Sequence, residues 1–115
     1  MATVLTRQTI AAGEAVTDEY TLPLTTAEII YVIKRYDWPD AGAQTLTYHA
    51  EIDTGAGWQN VGGGTIAGGV LDGIEEHRES ISPETPYAAG TKARLVMTAA
   101  SALETQVDLG LTVWP

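Results

Sequence analysis

Residues 106–113 alternate without a break: Val107, Leu109, Leu111 and Val113 are apolar, while Gln106, Asp108, Gly110 and Thr112 between them are polar or small. A repeat of two places one set on each side of a pleated strand and does not fit the 3.6-residue turn of a helix. The pattern recurs at Lys92–Ala99, where Ala93, Leu95, Met97 and Ala99 share a face, and at 45–52, where Leu46, Tyr48, Ala50 and Ile52 oppose Thr45, Thr47, His49 and Glu51. One face per strand is core and the other is wet, the habit of antiparallel sheets. Sixteen Thr, 8 Val, 8 Ile and 12 Gly agree with strands joined by turns.

The remaining stretches follow. Glu28–Tyr36 is a near-continuous apolar run closed by Asp37-Trp38-Pro39-Asp40-Ala41-Gly42, which reads as a central strand covered on both faces and then a turn. Val16, Asp18, Tyr20, Leu22 and Leu24 fall at period two, and Pro23 assigns that end to a sheet edge. Residues 1–10 show no single apolar face and suit an edge or intersubunit strand. Asp53-Thr54-Gly55-Ala56-Gly57 supplies a tight turn into Trp58, so 45–61 reads as a hairpin. Gly62–Gly69 is too rich in glycine for a helix and reads as loop with a short strand. Leu71–Ile81, with its run Glu75-Glu76-His77-Arg78-Glu79, fits a helical turn or a polar strand, and Pro83 and Pro86 impose an extended connection. The expected fold is all-β: residues 1–115 form one antiparallel β-sandwich or jelly roll of about seven or eight strands.

Charge narrows the partners. The net charge is -9, and the six basic residues are scattered instead of forming a stripe, which argues against nucleic acid and against anionic membranes. The longest apolar run, Ile29–Ile33, is far short of the ~18 residues that span a bilayer. Without cysteine there is no disulfide, no thiolate metal site and no thiol nucleophile. The first sixteen residues lack a basic start followed by a long apolar run, so no secretory leader is expected and synthesis in the cytoplasm is the default.

Few residues suggest chemistry. Gly62-x-Gly64-x-x-Ala67 matches a relaxed dinucleotide pattern, but the glycines that follow leave no helix N-terminus for a pyrophosphate. His49 with Glu51, and Glu75, Glu76, His77 and Glu79, lack metal-ligand spacing and read as exposed strand positions. No pair of acids is marked out for acid–base work, so no catalytic residue, cofactor or metal is expected. Asp53-x-Gly55-x-Gly57-Trp58 resembles the Asp-box hairpin of sialidases and other β-proteins, Ser-x-Asp-x-Gly-x-Thr-Trp, with Glu51 in place of its Ser and Gly57 in place of its Thr. That resemblance implies a folding device in which Asp53 holds turn amides, Gly55 takes positive φ and Trp58 covers the hairpin base, as core and not as a sugar platform. Trp38 in its Pro-containing turn and Trp114 at the last strand's end fit either a partner contact or packing within the chain. Val4, Leu5 and Ile10 do not share a strand face, which marks the N-terminal strand as a contact for a partner.

The whole layout, a strand, the Trp38-Pro39 turn, a Thr-rich strand, the Asp-x-Gly turn with Trp58, the Gly62–Gly69 segment, a Pro-rich connector and a last strand of alternating Val and Leu, resembles small β-sandwich virion proteins of tailed bacteriophages. The resemblance implies a non-enzymatic decoration, cement or head-fibre protein that binds and stabilises the outer capsid lattice. Its partner would be the major capsid protein or another virion protein, and it would act as a homo-oligomer or at symmetry-related sites. A carbohydrate- or receptor-binding module of a tail or fibre is the alternative, with a glycan as ligand.

Overall fold

The computed structural model describes residues 4–11, 13–36, 46–66, 74–99 and 105–115, with side chains throughout except at 4–8, 35, 36, 74–76, 105 and 106. Eight strands are present: β1 (Val4–Ile10), β2 (Ala15–Thr21), β3 (Glu28–Tyr36), β4 (Leu46–Asp53), β5 (Trp58–Ile66), β6 (Ile74–Ile81), β7 (Lys92–Ala99) and β8 (Thr105–Trp114). They form two four-stranded sheets, ordered β1-β8-β3-β6 and β2-β7-β4-β5, and every pairing is antiparallel. The chain passes from one sheet to the other at every connection except β4–β5, which gives the crossing connectivity of a jelly roll. The described residues contain no helix.

The alternation seen in the sequence is the packing. Leu46, Tyr48, Ala50 and Ile52 of β4 and Ala93, Leu95, Met97 and Ala99 of β7 face Ile29, Tyr31 and Ile33 of β3 and Val107, Leu109 and Val113 of β8, and all are buried. Each fully buried Leu or Ile contributes about 1.5–3 kcal/mol by leaving water, so this interface is the main source of stability. Ile10, at the end of β1, is also fully buried in this core.

Two expectations change and one open choice is settled. The segment from Gly62 to Ile66 is not loop but the second half of β5, because Gly63 lets β5 run close against β4: a Cβ there would lie 2.6 Å from the Tyr48 carbonyl oxygen and 3.0 Å from His49 Cα. The β4–β5 hairpin therefore extends to Ile66, with an irregularity between Ala50 and Glu51. The charged run is a polar strand, β6, paired with β3. In β3 the expected cover on both faces is incomplete, since Ile29, Tyr31 and Ile33 point inward while Ile30 is only half-buried on the outer side. The connectors are pinned to each other: Thr26 and Tyr87 exchange backbone bonds of 2.8 and 2.9 Å, and Thr26 Oγ1 donates to the Leu24 carbonyl. Pro23 lies just past β2, which ends at Thr21.

Candidate functional sites on the two outer faces

The outward residues of β4, β5 and β7 form a connected polar row. Glu51 of β4 pairs in register with Arg94 of β7, and Asp53 pairs with both Lys92 of β7 and Trp58 of β5. Arg94 Nε donates to Glu51 Oε1 at 2.5 Å, and the same guanidinium carbon lies 4.1 Å from the centroid of the Trp58 ring. On the other side of Glu51, His49 Nε2 lies 3.6 Å from Oε2. Period-two alternation sends these side chains to one face, and the β4–β7 register brings them side by side. An indole ring beneath a guanidinium is attracted by its quadrupole, while the carboxylate balances the cation.

At the end of this row the hairpin turn is built by Asp53, whose Oδ1 accepts from the Gly55 amide at 2.7 Å and the Gly57 amide at 3.1 Å. Gly55 and Gly57 have φ of 118° and 98°, a region that residues with a Cβ adopt at a cost. Beside the turn lies a depression of about 440 Å³, walled by Asp53, Thr54 and Gly55 on one side and residues 88–92 on the other.

The outer face of the opposite sheet is different. Trp114, at the end of β8, is 44% exposed, and its carbonyl is fixed by the Ala27 amide at 2.8 Å. Its register neighbour Glu28 accepts through Oε2 from Ser80 at 2.7 Å and from Ser82 at 3.3 Å. Farther along β3, Ile30 is half-buried between Ser80 and Thr112, and Val32 is buried between Arg78 and Gly110, so the two apolar residues on this face stand among polar and small neighbours.

The flanks between the sheets hold titratable groups shifted by burial. On the β5–β6 side, the Tyr48 phenol is pushed up by burial, and further by the charge of Glu79 and the hydrogen bond to it. A Cβ at Gly64 would lie 2.9 Å from the Tyr48 hydroxyl, and one at Gly62 would strike the Glu79 carboxylate, so glycine on β5 leaves room for this pair. On the other side, burial raises the Asp18 carboxyl. Tyr31 is raised strongly by burial and by the Asp18 charge, and its buried hydroxyl has no hydrogen-bond partner among the described residues.

The residues singled out in the sequence separate accordingly. Asp53 and Gly55 form the turn, but Trp58 is not core: it is half-buried on the outer face, because Asp53, its register partner, points outward. Trp114 is exposed, and Trp38 lies outside the described residues. β1 lies at a sheet edge, paired with β8 alone; the side chains of Val4 and Leu5 lie outside the description. Ile10 cannot serve a partner as an exposed residue, since the protomer's own core encloses it. No group of three or more His, Cys, Asp or Glu among the described residues could hold a metal ion. Sequence reasoning missed Arg94. Its outward position on β7 was readable from the alternation, but its place between Glu51 and Trp58 depends on register.

No protein-family model matches the chain, and no curated protein matches its sequence. Solved structures do share its fold. The Yersinia pseudotuberculosis-derived mitogen is similar with a TM-score of 0.63 at 14% identity, over 98% of this chain and 86% of that one. A carbohydrate-binding module specific for non-crystalline cellulose gives 0.64 at 10% identity, over 90% and 69%. A chain of the naturally occurring empty particles of cowpea mosaic virus gives 0.56 at 6% identity, over 100% and 87%. At these identities the likeness is one of fold: the chain is a jelly-roll β-sandwich of the kind found in binding modules and viral capsids.

Proposed function

We propose that this protein is a non-enzymatic structural component of a virion, a bacteriophage capsid decoration or cement protein that binds and stabilises the outer capsid lattice after synthesis in the host cytoplasm. The observation that carries this reading is the outer face of the β1-β8-β3-β6 sheet. The second sheet covers only the inner side of β3, Ile30 on the outer side is half-buried, and Trp114 stands 44% exposed at the end of the neighbouring β8. An exposed Trp on a sheet face is the kind of anchor that interfaces bury. The same sheet ends in the edge strand β1, whose outer backbone groups can accept a strand from a neighbour. The major capsid protein or another virion protein would cover this face, with copies at symmetry-related sites. The cowpea mosaic virus likeness supports the use of this fold in a virus particle. A net charge of -9 opposes unselective association and leaves a specific contact to dominate.

The test is co-sedimentation with particles assembled without the protein. The intact chain is expected to sediment with them, and Trp114→Ala to weaken binding by about tenfold or more at an unchanged thermal midpoint. An intact protein that stays in the supernatant overturns the proposal. Substitution of Trp114 is a cleaner probe than truncation of residues 1–10, which would withdraw Ile10 from the core.

A further inference from the structure

We infer that the other outer face, that of β7, β4 and β5, binds a neutral saccharide along the row Glu51, Arg94 and Trp58 and into the depression beside Asp53. This does not rest on the virion reading, since it concerns the opposite sheet and the isolated protein. Sugars present two surfaces at once, apolar C–H faces and pairs of adjacent hydroxyls. A half-buried indole supplies apolar wall, and planar guanidinium and carboxylate groups match paired hydroxyls.

The row is already held in place. Arg94 is fixed from two sides, by the bond to Glu51 at 2.5 Å and by the Trp58 ring at 4.1 Å, and the bond to Glu51 uses one of the five donors of a guanidinium. Side chains ordered before binding lose little entropy when a ligand arrives, which matters for a ligand as solvated as a sugar. The 440 Å³ depression lies past the end of the row: Asp53 and Lys92 line it, whereas Glu51, Arg94 and Trp58 do not, so a ligand on the row reaches it only by extending over Asp53, the register partner of Trp58. Volumes of about 300–1,000 Å³ suit small ligands.

The chemistry selects the class. Glu51 balances Arg94 and Asp53 balances Lys92, so the site offers no net local charge to hold an anion, and the -9 of the whole chain disfavours an anionic sugar, a nucleotide or a phosphate. A metal ion is not accommodated, because the described residues offer no group of three ligands. A purely apolar ligand would strip water from the Arg94–Glu51 pair without offering it any hydrogen bond in return.

The experiment is calorimetric titration, with tryptophan fluorescence, of the intact protein against cellohexaose, xylohexaose, chitohexaose and β-1,4-galactotriose, with 3′-sialyllactose as the anionic probe. At least one neutral oligosaccharide is expected to bind with a dissociation constant of about 1 mM or tighter. Trp58→Ala and Arg94→Ala should each weaken that binding by about tenfold, whereas Trp114→Ala should leave it unchanged. Arg94→Lys keeps the charge but not the planar fork, and it should lose affinity similarly while preserving the thermal midpoint if the alanine variant fails to fold. No binding by any neutral probe, preference for sialyllactose, or affinity that survives Arg94→Lys and Trp58→Ala overturns the inference. Capsid co-sedimentation reads the other sheet, so either proposal can fail without the other.

Discussion

The two outer faces of this sandwich meet solvent in opposite ways. On β7-β4-β5 polar side chains satisfy each other in a row from His49 through Glu51 and Arg94 to Trp58, with Val96 beside His49 as an apolar outward position. On β8-β3-β6 the half-buried Ile30 and the exposed Trp114 stand apart among polar neighbours, Ser80 and Thr112 beside Ile30 and Glu28 beside Trp114. A face that pairs its own polar groups is at ease in water and suits a hydrophilic ligand. An exposed indole gains free energy when something covers it.

The sharpest way to break this comparison uses adjacent residues of β3. Ile29→Ala, at a position 0% exposed, is expected to cost about 2–5 kcal/mol, through lost transfer energy and a cavity, whereas Ile30→Ala on the outer face should cost about 1 kcal/mol. Urea unfolding of both variants measures the difference, and equal losses would mean that the outer face is covered within the protomer. A smaller effect tests the support of the polar face. Asp53→Ala removes the acceptor of two turn amides and should lower stability by about 1–2 kcal/mol, read from the same denaturation curves, with Gly55→Val costing a similar amount because of its φ of 118°. An unchanged midpoint in both would show that the turn does not hold the row.

The smallest effect belongs to the flank that serves neither face. Asp18 has its carboxyl raised by burial, so folding favours the protonated form, and stability falls as pH rises from the ordinary value of 3.8 through the raised one. Asp18→Asn should therefore stabilise the protein near neutral pH, by about 0.5 kcal/mol or less, and the advantage should vanish below pH 3.8. Thermal midpoints at pH 3 and pH 7 check this, and a destabilised variant at pH 7 would show that the carboxylate has a partner.

Local chemistry made much of the fold legible. The alternation at 92–99 and 106–113 named β7, β8 and their inward faces, since a pleated strand has no other way to bury Leu95, Met97, Val107 and Leu109 together. The Asp53–Gly55–Gly57 turn was also readable, because it is made by residues within five positions of one another. The run at 62–64 was not, because a glycine strand looks like a loop until its neighbour is known, and it is the Tyr48 carbonyl that excludes a side chain at Gly63. Trp58 misled for a related reason: aromatic character suggested core, whereas its register opposite Asp53 turned it outward.

What the sequence determined by itself is the strands at 46–53, 92–99 and 106–113 with their buried faces, the Asp53 turn and the acidic charge, all set by period and by near neighbours along the chain. Only the tertiary structure decided the jelly-roll order, the exposure of Trp114 beside Glu28, and the meeting of Glu51 with Arg94 and Trp58. The reason is physical. Strand pairing joins residues 43 positions apart, as between Arg94 and Glu51, and a period-two pattern fixes which side a residue faces but not which strand lies beside it.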